Sequence, residues 1–279
     1  MRDELEALGR ALLQGTVVSG APPRAELPER VVVAIPAGGF GYRMRAVNDQ
    51  GPGTQKSLLP LPTGETLIGR IVREYAEIGV RRFVALVNYE GQAVEEHLRG
   101  GAPWGVEVRC SYDPEPTGSG RTGAMVHAMD QGLLPEGADV VVHNADCHVY
   151  GYDGSFPRDL IATHAEAVRS RNAIATLAAV DGWRFPYTGM SLRDGQVTDV
   201  AMYPFIPIPA HTGITVVTPE ALAALREHHT QTKQNFERDM FPRWAAAGRL
   251  AAMVIRHDQW VAVDDRKTYR EFSNALSGT

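Results

Sequence analysis

Residues 30–60 read RVVVAIPAGGFGYRMRAVNDQGPGTQKSLLP, and this stretch decides the fold. Its first six residues form a nearly continuous β-branched run, which is typical of a strand buried on both faces. Glycines follow at positions 38, 39 and 41, where backbone amides can converge on an anion because no Cβ blocks the approach. Arg43 and Lys56 add positive charge that suits a polyphosphate. The stretch therefore predicts a phosphate-binding loop after a buried strand, with a plain glycine-rich turn as the alternative.

Two well-known phosphate-binding patterns do not fit this loop. The P-loop pattern GxxxxGK[ST] is absent from the chain. The dinucleotide pattern GxGxxG lacks its third glycine, because Gly41 is followed by Tyr42, Arg43 and Met44. No acidic residue ends a following strand at the spacing that dinucleotide binding requires. A dinucleotide-dependent oxidoreductase is therefore disfavoured.

Outward from this loop, strand-type runs alternate with helical periods as far as residue 180. We expect strands at 82–87, 106–112, 139–143 and 173–179, and helices at 66–78, 91–99, 122–131 and 156–170. This alternation predicts an α/β fold with a mixed, mostly parallel sheet flanked by helices. Later, 189–192 and 196–203 flank the turn signal Asp194-Gly195, which predicts a hairpin. With further strands at 210–217 and 251–256, the C-terminal third is expected to add antiparallel strands to this sheet.

Composition excludes several classes of protein. The 279 residues are 44% hydrophobic and 22% charged, as in ordinary globular chains. The net charge of −5 disfavours a general nucleic-acid-binding surface, and no apolar run reaches the roughly 18–20 residues that span a membrane. Two cysteines, Cys110 and Cys147, are too few for a disulfide framework. We therefore expect a cytoplasmic protein without nucleic-acid or membrane partners.

The first 29 residues differ from the remainder of the chain. Residues 4–14 have helical apolar spacing, and a stretch rich in Pro and small residues follows them. We expect an N-terminal helix and linker arm over 1–29 and one mixed α/β domain over 30–279. The arm is interpreted as a packing or oligomer element without chemistry, which leaves room for a homo-oligomer.

Carboxylates end two later segments. The run DVVVHNADCHV at 139–149 is a hydrophobic strand that ends at Asp146, where ligands of α/β proteins bind. The run QWVAVDDRKTY at 259–269 places Asp264 and Asp265 before a helix, and both could simply cap it. A zinc site at His143, Cys147 and His148 matches no ligand spacing, and strand alternation directs His143 and Cys147 away from Asp146. A metal-dependent hydrolase using Asp146 and His148 is a competing interpretation.

These segments resemble the sugar-1-phosphate nucleotidyltransferases, or nucleoside-diphosphate-sugar pyrophosphorylases, over about residues 30–275. The family's loop is roughly GGxGTRLxPLTxxxPKxLLP, and this chain has Tyr42 for the threonine and Gln55 for the proline. Residues 87–89 and 96–98 resemble TNY and EHF. Residues 115–118 and 123–124 resemble EPLGTAGA with two extra residues, and 211–214 resemble NAGI. The resemblance implies a Rossmann-like nucleotidyltransferase fold for the domain over 30–279. It also implies transfer of a nucleotidyl group from an NTP to a sugar 1-phosphate, with release of pyrophosphate.

The resemblance also implies which residues bind the phosphates and the metal. The backbone of Ala37, Gly38, Gly39 and Gly41 would bind the triphosphate, Arg43 the leaving pyrophosphate and Lys56 the α-phosphate. The family's NGD, whose aspartate holds Mg²⁺, corresponds to residues 144–146, so Asp146 is the expected first ligand. Trp260 and Asp264 match WQPMDTLRD of glucose-1-phosphate cytidylyltransferases, which makes Asp264 the expected second ligand. Most members place that ligand two residues after the tryptophan, where this chain has Ala262.

Four residues are expected to line the base pocket: Asn88, Glu115, Gly118 and Gly123. Glu115 stands where the family often has a glutamate or glutamine over the base edge. A carboxylate only accepts hydrogen bonds, so it suits the adjacent N1–H and N2–H₂ donors of guanine. The sequence therefore favours GTP weakly among the nucleotides.

The acceptor side departs from the family. The family's FxEKP supplies a lysine to the sugar phosphate and a glutamate to the sugar. Here Tyr203 stands for the lysine and Met202 for the glutamate. Arg184 is the candidate for the missing positive charge, and Thr212 and Gly213 are expected beside it. The departure favours an unusual acceptor, such as a cyclitol or modified sugar phosphate of secondary metabolism. It also motivates the alternative of a catalytically inactive, nucleotide-sugar-binding regulatory subunit.

Overall fold

A seven-stranded sheet forms the centre of the computed structural model, which describes residues 2–18, 30–39, 55–230 and 233–278. The strand order is β12-β6-β11-β4-β1-β2-β3. The strands of this sheet are β1 (Val31–Pro36), β2 (Arg82–Val87), β3 (Glu107–Tyr112), β4 (Asp139–His143), β6 (Ala175–Val180), β11 (Ala210–Val217) and β12 (Leu250–Ile255). The expected mixed, mostly parallel α/β fold is confirmed.

Helices cover both faces of this sheet. They are α2 (Leu67–Glu77), α3 (Gly91–Leu98), α4 (Gly120–Asp130), α5 (Phe156–Arg171), α6 (Pro219–His228), α7 (Phe236–Asp239) and α8 (Phe241–Ala246). Helix α9 (Arg266–Ser277) packs instead in a third, smaller core with Leu59, Leu61 and Leu67. Alternate side chains of β1 enter two separate cores: Val33 and Ile35 pack with α2 and α5, while Val32 and Ala34 pack with α4 and α6. A strand buried on both faces explains the β-branched run that opens the domain.

The pairing of the strands brings several chain segments to one edge. Strand β1 lies parallel to β2 and β4, and β2 lies parallel to β3. Their carboxyl ends therefore meet, together with residues 37–39, 88, 113 and 144–146 that follow them. Strand β11 is antiparallel to β4, with Ile214 opposite His143, so its amino end lies at the same edge. This edge is where ligands of open α/β sheets bind.

Three small two-stranded sheets complete the C-terminal part. The expected hairpin is present as β8 (Thr188–Arg193) and β9 (Gln196–Met202), joined by Asp194 and Gly195, which both have positive φ. Sequence analysis missed two further short pairs, β7 (Trp183–Arg184) with β10 (Phe205–Ile206) and β5 (Cys147–Val149) with β13 (Trp260–Ala262). In the β5–β13 pair Ala262 lies opposite Cys147, so the residues next to this pair, 264 and 146, lie close together.

The N-terminal arm is described as far as Val18. Helix α1 (Arg2–Leu12) buries none of its residues, and a Cβ on its Gly9 would lie 2.8 Å from Cβ of Pro207. Val18 forms an isolated parallel bridge with Val254 on edge strand β12. Within the described residues, the arm therefore touches the domain near Pro207 and at edge strand β12.

Candidate active site

A cleft of about 640 Å³ opens at the carboxyl ends of β1, β2, β3 and β4. Its lining combines a glycine-rich backbone, acidic and basic side chains, and the first turn of α4. Among the lining residues are Ala37, Gly38, Gly39, Gln55, Lys56, Asn88, Asp113, Gly118, Gly120, Arg121, Asn144, Asp146, Lys233 and Asp264. The position at the strand ends and the polar lining make this cleft the candidate active site.

Lys56 joins the two candidate metal ligands in this cleft. Its Nζ donates to Oδ2 of Asp146 at 2.7 Å and to Oδ1 of Asp264 at 2.8 Å. The Lys56 side chain is 14% exposed, whereas the two carboxylates are 32% and 36% exposed. Three residues far apart in the sequence thus form one compact group of charges.

The charge of Lys56 depends on these partners. Burial lowers the pKa of the Lys56 ammonium, but the carboxylates of Asp146 and Asp264 more than offset it, and the pKa is raised above 10.5. Because the pKa of Lys56 is raised in the folded state, its ion pairs stabilise the fold fully below pH 10.5. This stabilisation is lost as the pH rises through the folded-state pKa. Lys56 is therefore cationic at neutral pH and forms ion pairs with both carboxylates.

Local hydrogen bonds place each member of this group. The buried Gln55 side chain donates to the carbonyl of Ala37 and accepts from the Ser57 amide and hydroxyl, which ties residue 56 to the end of β1. The amide of Val263 donates to the Asp146 carbonyl at 2.8 Å. Asp265 caps α9 by accepting from the Thr268 amide, so the capping role belongs to Asp265, and the Asp264 carboxylate faces Lys56.

The loop after β3 forms the opposite wall. Asp113 accepts from the amides of Glu115 and Ser119 at 2.9 and 2.8 Å and from the Ser119 hydroxyl at 2.8 Å. Asn88 donates from Nδ2 to the Glu115 carbonyl at 2.8 Å, and the Gly118 amide donates to the same carbonyl. Sequence analysis missed Asp113, although its position directly after β3 was a usable signal.

The predicted nucleotide-binding residues divide into three groups. Ala37, Gly38, Gly39, Asn88 and Gly118 line the cleft together with Lys56. Gly41 and Arg43 lie outside the described residues. Glu115 is exposed and reaches the cleft wall through its carbonyl oxygen, and buried Gly123 packs on Ser119, where an added Cβ would lie 2.5 Å from the Ser119 Cβ.

The predicted acceptor residues do not line this cleft. Exposed Arg184 pairs with Phe205 across the β7–β10 ribbon, and Tyr203, with φ of 50°, is 53% exposed at the end of the hairpin. The Thr212 hydroxyl is buried and donates to the Ala178 carbonyl at 2.8 Å. Gly213 lies next to the metal-ligand candidates, since its carbonyl accepts from the Asn144 amide.

The histidines and the cysteine near Asp146 are structural. His143 is buried between the Tyr75 hydroxyl, 3.1 Å from Nδ1, and the Cys147 carbonyl, 2.8 Å from Nε2, and burial lowers its pKa to about 4. His148 is buried and stacks on Phe272 with ring centroids 5.0 Å apart. The expectation that Cys147 points away from Asp146 is wrong, because its Sγ lies 3.4 Å from Oδ1 of Asp146, where the short β5 strand begins. In the described residues no group of three or more His, Cys, Asp or Glu could hold a metal.

Gly213 is expected to be required for the shape of the site. It has φ of 82°, and a Cβ there would lie 2.6 Å from Nδ2 of Asn144 and 2.8 Å from Sγ of Cys147. Gly213→Ala should lower the free energy of unfolding by about 2–4 kcal/mol through backbone strain and overpacking. Gly132→Ala is the matched control, since Gly132 has φ of 70° with nothing within 4 Å. Equal losses in urea unfolding of the two variants would show that the contacts of Gly213 are unimportant.

The fold and the cleft together define an α/β protein whose candidate active site holds two carboxylates, Asp146 and Asp264, beside Lys56. The chain belongs to the MobA-like NTP transferase domain family, whose model matches residues 33–240. The expected nucleotidyltransferase class is thereby confirmed.

Several solved structures share this fold. A Bacillus anthracis protein assigned as a glucose-1-phosphate thymidylyltransferase, in complex with sucrose, is 17% identical, with a TM-score of 0.63 over 88% of this chain and 95% of that one. HddC from Yersinia pseudotuberculosis is 16% identical, with a TM-score of 0.62 over 88% and 99%. HddC has also been solved with GMP-PN. At these identities the similarity establishes the fold.

None of the helices in the described segments has both the length and the apolar character needed to cross a bilayer.

Proposed function

We propose that this protein transfers a nucleotidyl group from an NTP to a sugar or sugar-like 1-phosphate and releases pyrophosphate. The observation that carries the proposal is the convergence of Lys56, Asp146 and Asp264 in one cleft beside Gly38 and Gly39. Phosphoryl chemistry needs positioned charges more than covalent catalysis, and this group supplies charges of both signs.

The residues of the site have separate tasks in this proposal. The acceptor's phosphate oxygen is already anionic near neutral pH, so the attack on the α-phosphorus needs no general base. Backbone amides at 37–41 bind the triphosphate, Arg43 binds the leaving pyrophosphate and Lys56 binds the α-phosphate. Asn88 and Gly118 bind the base, and Glu115 is proposed to read its edge.

The donor set fits a magnesium ion. Two carboxylates, Asp146 and Asp264, converge on a single cation, the Lys56 ammonium, within 2.8 Å. Mg²⁺ is commonly held by one or two carboxylates plus substrate phosphates, and such a site needs no cluster of three protein ligands. When bound there, the ion would neutralise phosphate charge during in-line displacement. Asp146 and Asp264 are the residues that would hold it.

We favour GTP as the nucleotide and an unusual sugar-like phosphate as the acceptor. The preference for GTP rests on Glu115, and the guanine nucleotide bound to HddC, which has the same fold, is compatible with it. The acceptor proposal rests on Met202 and Tyr203, which leave no lysine–glutamate pair at the end of β9. Such a site suits a cyclitol or a modified sugar 1-phosphate. Arg184, Thr212 and Gly213 are proposed on the acceptor side.

Thermal-shift binding of ATP, GTP, CTP, UTP and dTTP, each with Mg²⁺, tests nucleotide binding without knowledge of the acceptor. A ligand that binds only the folded state raises Tm by mass action. We expect one nucleotide, GTP, to raise Tm more than the other four at equal concentration. No rise with any of the five would contradict the assignment of the cleft to an NTP.

A regulatory subunit without catalytic activity is the second candidate. Ala262 and Tyr203, which replace residues that most relatives use for metal and acceptor, favour it. Such a protein would bind nucleotide in the thermal-shift assay and release no pyrophosphate when acceptors are added. Lys56, Asp146 and Asp264, brought together in the cleft, favour the enzyme.

A homo-oligomer is proposed through the β8–β9 hairpin. One face of this two-stranded ribbon carries Met190, Leu192, Val197, Val200 and Met202, each more than half exposed. Isolated ribbons are marginally stable, and a second copy would bury two identical apolar faces at once. Sedimentation equilibrium should detect a dimer that Val200→Ser weakens, and a wild-type monomer would refute it.

A cytoplasmic location is proposed from the two free cysteines, and cell fractionation would test it.

A further inference from the structure

Arg121 lies in the cleft at a position that the family pattern does not supply. It falls where residues 115–124 are two residues longer than the EPLGTAGA segment they resemble. Gly120, with φ of 77°, precedes it, and a Cβ there would lie 2.4 Å from the Gln234 carbonyl oxygen. This glycine therefore allows residues 233–235 to pack against the loop, and Arg121 opens α4 at the cleft wall.

An ion pair with Glu237 holds the guanidinium of Arg121 in place. Its Nη1 donates to Oε1 of Glu237 at 2.7 Å, and the two side chains are 32% and 22% exposed. Nδ1 of His211 lies 3.8 Å from the same carboxylate oxygen. Burial lowers the pKa of His211, so Arg121 is the cation that balances Glu237 at neutral pH. A half-buried ion pair restricts the guanidinium to one position.

The charges of the cleft indicate what this guanidinium would bind. Asp146 and Asp264 contact Lys56, and Asp113 accepts three hydrogen bonds from its own loop. On the wall formed by α4 and residues 233–237, Arg121 and Lys233 both line the cleft and carry positive charge. A guanidinium has five N–H donors in a planar fork that matches phosphate oxygens. The hydrogen bond to Glu237 is made by Nη1 of Arg121.

We propose that Arg121, held by Glu237, binds a phosphate group of the nucleotide in this cleft. The inference rests on the proposed nucleotidyl transfer and adds a binding residue and a positioning residue to it. Glu237 acts through Arg121 because its carboxylate fixes the guanidinium. Because Arg121 opens α4, the positive end of the helix dipole lies beside it and adds to the attraction for an anion.

Calorimetric titration with GTP, inorganic tripolyphosphate and guanosine tests this role. Arg121→Gln should weaken GTP and tripolyphosphate binding at least about tenfold, because charge-assisted hydrogen bonds to phosphate are strong, and should leave guanosine binding unchanged. Arg121→Lys should give a smaller loss, since it keeps the charge without the fork. Glu237→Gln should weaken both phosphate ligands a few-fold, and the double variant should be no weaker than Arg121→Gln alone.

Arg249→Gln is the matched control. Arg249 forms an ion pair with Glu220 before β12, at the amino ends of the parallel strands and so opposite the cleft. The Arg249→Gln variant should be less stable than the wild-type protein and should bind GTP with unchanged affinity. If Arg121→Gln fails to fold, Arg121→Lys and Glu237→Gln decide the question. Wild-type affinity for GTP and tripolyphosphate in a folded Arg121 variant, or an equal loss for guanosine, would overturn the inference. If the wild-type protein binds none of the five NTPs, it is the proposed function that fails.

Discussion

Asp146→Asn is expected to reduce pyrophosphate release by about a hundredfold to a thousandfold, the scale typical of removing one electrostatic contact from an active site. The substitution keeps the shape of the side chain and removes one of the two carboxylates that converge on Lys56. The proposed metal site then keeps one of its two negatively charged ligands, Asp264. The fold should be kept, because the Asp146 backbone carbonyl, which accepts from Val263, is unchanged.

Asp265→Asn is the control for this variant. Asp265 is adjacent to Asp264 in sequence but caps α9, where asparagine serves nearly as well as aspartate. Turnover of Asp265→Asn should stay close to the wild-type value, and its Tm should change little. Turnover of a folded Asp146→Asn near the wild-type value would remove Asp146 from the proposed mechanism.

Lys56→Met should lose most turnover and, unlike the wild-type protein, should be stabilised strongly by Mg²⁺ alone. Lys56 is the cation that the structure places between the two carboxylates, 2.7 and 2.8 Å from them. Without it, Asp146 and Asp264 repel each other, and a divalent cation relieves that repulsion in the folded state only. The Mg²⁺-induced rise in Tm, measured without nucleotide, should therefore exceed that of the wild-type protein.

Lys267→Met removes the same charge from a nearby exposed position. Lys267 lies on α9 with a side chain that is 79% exposed and contacts Glu271. Its Mg²⁺-induced shift should match that of the wild-type protein. If Lys56→Met and Lys267→Met respond alike to Mg²⁺, the carboxylate pair is not a cation site, and Asp146 and Asp264 would need another role.

The main sheet was predictable because its strands carry their own signals. Strand β1 is a β-branched run buried on both faces, and the hairpin follows from Asp194-Gly195, both of which adopt the positive φ that the turn requires. Strands β5 and β13 have three residues each and pair across more than 100 residues. Nothing local distinguishes such segments from loops, so sequence analysis missed them.

The candidate site was predictable where residues end strands or match a family motif. Lys56, Asp146 and Asp264 were all named from sequence, and the structure brings them together. The direct contacts between Lys56 and both carboxylates could not be foreseen, because they depend on the β5–β13 pairing. Arg121 was missed for a related reason, since its role depends on Glu237, which lies 116 residues away.

For Glu115, the sequence predicted a role for the carboxylate and gave no signal for the contacts of the backbone carbonyl. Its carboxylate was predicted to read the base, and in the structure its carbonyl oxygen forms the contacts with Asn88 and Gly118. These backbone contacts place Glu115 on the loop after β3, and the role proposed for its carboxylate is separate from them. The guanine preference therefore stays a prediction that the nucleotide titrations address.

The most direct test of the central claim is pyrophosphate release from the five NTPs, each with Mg²⁺ and a panel of hexose and cyclitol 1-phosphates. The account predicts release that needs both an acceptor phosphate and Mg²⁺, is selective for one nucleotide, and disappears in Asp146→Asn. Nucleotide binding with no pyrophosphate from any acceptor would contradict it and favour the regulatory subunit. Release of phosphate from any substrate without an NTP would contradict it in favour of a hydrolase.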